Sequence, residues 1–316
     1  MLFLRQINQK NQYFLQFKFM KKQILQGSLL VALGAACYGL LATFVKLAYE
    51  DHFTIAEITV SQFVIGIFGL LVLNLFVKKK EKSNQISSNK TNIFKLVLAG
   101  TSLGLTSTFY YLAAQLIPVS IGIVLLMQTV WMGVVLDIIL TKKWPSIGKT
   151  LAVILILFGT ILATNMLFDI KKINFTGIGW GLLAAVSYTV SVYTSGKIAI
   201  GMHAFRRTIW MLLGGLIIVL AISFPSIIEK FDWQIFVSWG IVLALFGTIL
   251  PPVLFSIGMP KINLGLGAIL SSVEIPVSVL MAYFLLHEKV DLLQWAGIVL
   301  IMLTVIIMNL PNKKKN

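Results

Sequence analysis

Residues 262–310 read INLGLGAILSSVEIPVSVLMAYFLLHEKVDLLQWAGIVLIMLTVIIMNL, two long apolar runs joined by a short charged turn. Each run matches the roughly 20 apolar residues that a helix needs to cross a bilayer. The first carries Glu274 near its middle and Pro276 two residues further on. A carboxyl at that depth costs about 2.5–3.5 kcal/mol on insertion scales, so it faces a bundle interior or a wet cavity. At helical spacing Ser271, Glu274 and Ser278 share one face, a polar stripe on an otherwise apolar helix. Pro276 cannot donate to the carbonyl of Ser272, which is expected to be left free beside that stripe. This is either a kinked helix whose polar face packs on its neighbours, or a site.

The rest of the chain has the same character. Its 316 residues are 58% hydrophobic and 12% charged, with a mean hydropathy of +0.92. Soluble domains hold about 45–50% apolar and 25% charged residues, so the composition predicts an all-α polytopic membrane protein. The net charge of +15 does not indicate nucleic acid, because the basic residues lie between and around apolar spans. Cys37, the sole cysteine, excludes an intramolecular disulfide. His52, His203 and His287 form no pair at a metal-ligand spacing, so neither a metal nor a cofactor is expected.

Ten apolar spans are expected at about 24–47, 55–77, 93–114, 119–140, 147–167, 175–195, 204–224, 234–257, 263–286 and 291–310. Residues 1–23 read as a lead-in, with Met20-Lys21-Lys22 as a more natural beginning, and 311–316 as a basic tail. The charged, Ser/Asn-rich loop 78–92 is expected to be mobile. With both termini in the cytoplasm, 21 of the 26 Lys and Arg fall on the cytoplasmic side. Lys171, Lys172, Lys230 and Lys289 fall outside, and Lys46 lies near the outer end of a span. That bias follows the positive-inside rule for a bacterial cytoplasmic membrane.

The chain also resembles itself. Residues 117–160 can be laid on 262–305 at an offset of 145, where Gly122 meets Gly267, Thr129 meets Glu274 and Trp131 meets Pro276. At an offset of 150, Gly27 meets Gly177, Ala35 meets Ala185 and Tyr38 meets Tyr188. Repeats of five spans, an odd number, must sit in opposite orientations. In secondary transporters such inverted repeats place the substrate near the midplane, at the repeat interface. The repeats run over 24–167 and 175–310.

Two passages bear a family resemblance. GLGAILSSVEIPVSVLMAYFLLHEK (265–289) carries Pro276 and, twelve residues on, Glu288, a spacing common in the EamA type of the drug/metabolite transporter superfamily. FYYLAAQLIPVSIGIV (109–124) is similar to that family's passage from third to fourth helix. The resemblance covers about residues 24–310. It implies ten helices in two inverted repeats, and efflux of amino acids, related metabolites or toxic organic compounds. The first half departs from the pattern, with Trp131 for the proline and Lys143 for the glutamate, which predicts a fourth span straighter than the ninth.

Other features carry less. Ser146-Ile147-Gly148-Lys149-Thr150 ends like a phosphate-binding loop, but the earlier glycine it requires is Lys143. Pro251 and Pro252, inside the eighth span, deprive the carbonyls of Gly247 and Thr248 of their helical donors. Such a break is tolerated in a membrane where protein or water supplies partners. Thr106 and Ser107 take the equivalent places in the third span. Asp137, near the end of the fourth span, reads as solvated or paired with Lys142 or Lys143. Gln128 lies deeper and needs a partner inside the bundle.

These readings place a small-molecule pathway among Tyr38, Tyr110, Gln128, Trp131, Tyr188, Ser271 and Glu274, with helix breaks at Pro251, Pro252 and Pro276. One deep acid without a deep base disfavours strongly anionic substrates; neutral, zwitterionic and cationic metabolites remain. Protons that exchange at Glu274 can couple such transport to a gradient. A membrane scaffold or assembly subunit is the alternative. An intramembrane enzyme would need a catalytic constellation at one depth, and none is visible.

Overall fold

The computed structural model describes residues 2–76, 90–117, 119–164, 174–287 and 289–309, with the side chains of 2–18, 119, 120 and 309 left aside. The loop residues 77–89, Glu288 and the basic tail expected at 311–316 lie outside the described residues. Helix is the sole regular structure among those described. The order is α1 (Leu2–Glu50), α2 (Ile55–Phe76), α3 (Lys90–Leu116), α4 (Val119–Leu126), α5 (Thr129–Thr141), α6 (Ile147–Ala163), α7 (Phe175–Lys197) and α8 (Ala204–Glu229). The eighth span is composite: α9 (Ile235–Ser238), α10 (Gly240–Ala244), a π-helical turn (Leu245–Ile249), α11 (Leu250–Gly258) and a 3-10 turn (Met259–Lys261). Then follow α12 (Leu264–Ser271), α13 (Glu274–Leu285) and α14 (Leu292–Asn309).

Among the described residues, eight helical segments are long and apolar enough to cross a membrane, the first being Phe19–Glu50. The apolar helices Ile147–Ala163 and Leu292–Met308 are shorter, at the lower limit of a spanning length. The outward faces are as apolar as the core: Leu75, Phe76, Phe158, Val237 and Ile307 all stand exposed. Such a surface suits hydrocarbon rather than water. The end of the bundle carrying Glu50, Asp51 and Lys289 is here called the rim, and the end carrying Thr141, Lys149 and Lys261 the base.

The two halves repeat each other. α4 and α12 begin at 119 and 264, α5 and α13 at 129 and 274, α6 and α14 at 147 and 292, each pair 145 residues apart. Packing follows the same relation. α2 packs on α8 and α6 on α14, so that these helices meet their own equivalents, and α5 packs on α12, the other half of the span equivalent to its own. α3 lies against α7 and α8, as the composite eighth span lies against α1 and α2.

Both the fourth and ninth spans are broken at midheight, which corrects the expectation of a straighter fourth. The fourth breaks without a proline. The amide of Gln128 donates to Leu125 and that of Val130 to Met127, a local tightening of the turn. Gln128 holds the break with its side chain: Nε2 donates to the Val124 carbonyl (2.9 Å) and Oε1 accepts from Trp131 Nε1 (2.8 Å). At the ninth, the Ser272 carbonyl expected to be free accepts from the Ile275 amide at 3.2 Å. Pro276 thus falls within the first turn of α13, where its missing N–H is no loss.

Candidate functional site

Where the broken helices open, the bundle holds a cavity of about 330 Å³. Its inner part is made by Tyr38, Tyr110, Leu126, Tyr188, Pro252 and Glu274, and its rim by Lys46, Tyr49, Lys289 and Gln294. The rim-side halves α4 and α13 line it, whereas no residue of α5 or α12 does. Those two base-side halves pack on each other below it. A Cβ added to Gly133 would stand 2.5 Å from that of Ala268. The cavity therefore runs toward the rim and ends above the base.

Of the sequence-predicted residues, Tyr38, Tyr110, Tyr188 and Glu274 come together around this space, and Gln128, Trp131 and Ser271 do not. The Gln128–Trp131 pair holds the break, with Trp131 39% exposed on the outer face. Ser271 is fully buried, its hydroxyl given to the Gly267 carbonyl at 3.1 Å. Pro252 lines the cavity, as do Gly247 and Thr248 of the π turn, and Thr106 and Ser107 opposite them. Thr248 Oγ1 donates to the Gln62 carbonyl (2.7 Å) and ties the break to α2.

The tyrosines are fixed by one another. Tyr38 meets its repeat equivalent Tyr188 edge to face, centroids 6.0 Å apart, and Phe255 in the same manner at 5.9 Å. The Tyr188 hydroxyl lies against Ser271 but outside hydrogen-bond geometry. Glu274 is the first residue of α13, where the helix dipole favours a negative group. Its Oε2 is buried and has no hydrogen-bond partner among the described residues. A buried polar atom left so is costly, and the residue that carries it lines the cavity. Gly39 makes the room: a Cβ there would stand 2.5 Å from the Glu274 carbonyl and 2.8 Å from Val277 Cβ.

A profile of the EamA-like transporter family matches residues 25–165 and again 175–310. The chain belongs to the EamA-like transporter family. This EamA-like protein is accordingly a multi-pass membrane transporter with two inverted five-helix repeats. Among solved structures, one described as a crystal structure of a protein has a TM-score of 0.72 at 13% identity, covering 89% of this chain and 96% of that one. That likeness concerns the fold alone. A search of curated proteins returned no match.

Three functional or supporting features escape a reading of the sequence. Arg207, counted among the topology charges, is 2% exposed and donates to the carbonyls of Ser195 and Ser256 (2.7 Å to the latter). It stitches α7, α8 and α11 near the base. Glu57 is buried at the rim, accepting from the Thr54 amide (2.6 Å) and from the Asp232 amide (2.7 Å). The spacing T-x-x-E of Thr54 and Glu57 is a capping-box signal, but the bridge to Asp232 is not local. Asp137 pairs with Lys149 of the next helix at 3.4 Å, rather than with the expected Lys142 or Lys143. Lys142, at φ 54°, ends α5 in a left-handed turn.

Proposed function

We propose that this EamA-like protein is a secondary transporter that exports a small neutral, zwitterionic or cationic metabolite, such as an amino acid, by alternating access. The observation that carries this reading is the unpartnered Oε2 of Glu274 at the inner end of a tyrosine-lined cavity. A substrate ammonium would meet the carboxylate, and the faces of Tyr38, Tyr110 and Tyr188 would attract the same cation. A proton on Glu274 would exclude that ammonium, so the same group would couple substrate to a proton gradient. Export is proposed on the family likeness, and the excess of Lys and Arg in the segments read from the sequence as cytoplasmic supports assigning the base to the cytoplasmic side of a bacterial membrane. Alternation would exchange the roles of equivalent halves, α4 and α13 closing as α5 and α12 part. Counterflow in proteoliposomes, scanned over amino acids, polyamines and quaternary amines, tests the reading. Saturable exchange of at least one class is expected; none with well-folded protein would overturn it.

A further inference from the structure

The phosphate-loop look-alike of the sequence ends in a lysine that the fold puts to other use. Lys149 Nζ, in the first turn of α6, lies 3.4 Å from Asp137 Oδ2 of α5 and 3.1 Å from Asn263 Oδ1. Asn263 caps α12, its Oδ1 also accepting from the Leu266 amide at 2.9 Å. One ammonium therefore joins the two half-helices that close the cavity at the base. The junction is tight: a Cβ on Gly265 would stand 3.3 Å from Asp137 Oδ2 and 3.5 Å from Lys149 Nζ. Just above it Gly133 meets Ala268. A recess lined in part by Val134, Asp137, Lys149 and Asn263 opens below.

The repeat supplies the contrast. At the offset of 145, Asp137 corresponds to Ala282 and Lys149 to Gln294. Both of these line the open rim of the cavity. Gln294 is occupied elsewhere, Nε2 on the Ala163 carbonyl at 3.2 Å and Oε1 on the Asp291 amide at 2.9 Å. The closed end thus holds an ion pair at the positions where the open end holds an alanine and an amide.

We propose that Lys149 is the gating residue of the base: its shared contact with Asp137 and Asn263 latches α5 to α12 and biases the transporter toward the rim-open state. The proposal rests on the carrier reading above. A latch made at one end only shifts the two-state equilibrium by its differential contribution to the two states. Breaking it populates the base-open state, and building one at the rim populates it too.

The test uses thiol labelling of purified full-length protein in detergent, with Cys37→Ser as background. V134C reports the base and S278C the cavity from the rim. Lys149→Gln and Asp137→Asn are expected to raise the V134C rate about tenfold and to lower the S278C rate. Lys149→Arg leaves both within twofold, and Asp137→Lys with Lys149→Asp restores slow V134C labelling. An unaltered V134C rate in monodisperse Lys149→Gln protein overturns the latch. Should that variant not fold, Ala282→Asp with Gln294→Lys, which leaves the base intact, decides. It slows S278C about tenfold if the latch logic holds, and an unchanged rate overturns it. Counterflow on the same preparations reports the carrier reading separately, so transport with unaltered thiol rates, or altered rates without transport, tells which of the two fails.

Discussion

Thr129 and Glu274 stand 145 residues apart at equivalent places, each beginning the second half of a broken helix, and they meet opposite surroundings. Thr129 Oγ1 lies 2.6 Å from Thr189 Oγ1, so the two hydroxyls satisfy each other. The equivalent of Thr189, at the offset of 150, is Gly39, which offers Glu274 no side chain at all. One half of the pseudo-symmetric pair closes through two hydroxyls; in the other, α13 packs directly on Gly39 and the Glu274 side chain lines the cavity instead.

Gly39→Ala tests that relation. The added methyl meets the Glu274 carbonyl at 2.5 Å and the Ser278 amide nitrogen at 3.0 Å, so α1 and α13 must part. Overpacking of this kind costs about 1–3 kcal/mol. A lowered melting temperature and a loss of transport are expected. Gly179→Ala, with nothing within 4 Å of the new Cβ, is expected to hold or raise the melting temperature, because alanine is favoured over glycine within a helix by about 1 kcal/mol. Equal melting of the two variants would refute the close fit at Gly39.

Arg207 makes a different demand. Removing its guanidinium strands the Ser195 and Ser256 carbonyls among α7, α8 and α11. Unsatisfied buried groups cost about 1–3 kcal/mol each. Arg207→Gln is expected to melt well below the parent protein. Arg207→Lys is expected to recover little, since an ammonium lacks the planar fork that serves two carbonyls at once. Full recovery by lysine would mean that charge alone matters there.

How far the sequence carries is visible in these residues. The apolar spans, the odd number per repeat and the deep Glu274 are local properties of the chain, and each could be read from spacing and composition. Tyr38 and Tyr188 were legible through the repeat offset, and their rings do meet. Gln128 and Trp131 misled because the break they create turns them out of the cavity. Nothing local announces a break in which side-chain hydrogen bonds replace a proline. Lys149 and Arg207 were indistinguishable from topology lysines and arginines, since one partner of each lies 114 and 49 residues away in sequence. The role of Gly39 is likewise set by what stands opposite it.

The orientation proposed above has its own check. With Cys37 removed, cysteines replacing Asp51, Asn174 and Glu229 are expected to react with an impermeant thiol reagent in intact cells. A cysteine replacing Ser146 is expected to react only after lysis. All four lie at helix ends that the structure describes, the first three at the rim and Ser146 at the base. Labelling of the Ser146 position in whole cells would invert the proposed topology.

The coupling role proposed for Glu274 is tested by Glu274→Gln. Glutamine keeps the size of the side chain and its capacity for hydrogen bonds, but can neither ionise nor exchange a proton. Oε2 has no hydrogen-bond partner among the described residues, so the exchange removes none of the bonds seen there, and the melting temperature is expected to change little. Two effects on transport follow from the geometry. An ammonium and a proton compete for the same oxygen, so acid on the cavity side is expected to weaken substrate binding in the parent protein; in the variant this pH dependence is lost. Net movement driven by an imposed pH gradient also falls to background, whereas any residual exchange of substrate for substrate continues, because it needs no proton. Both are read in proteoliposomes, by varying pH at fixed substrate and then by setting a gradient across the bilayer. A variant that retains the parent's pH dependence would assign Glu274 a packing role, and the tyrosines alone would then have to account for any cation preference.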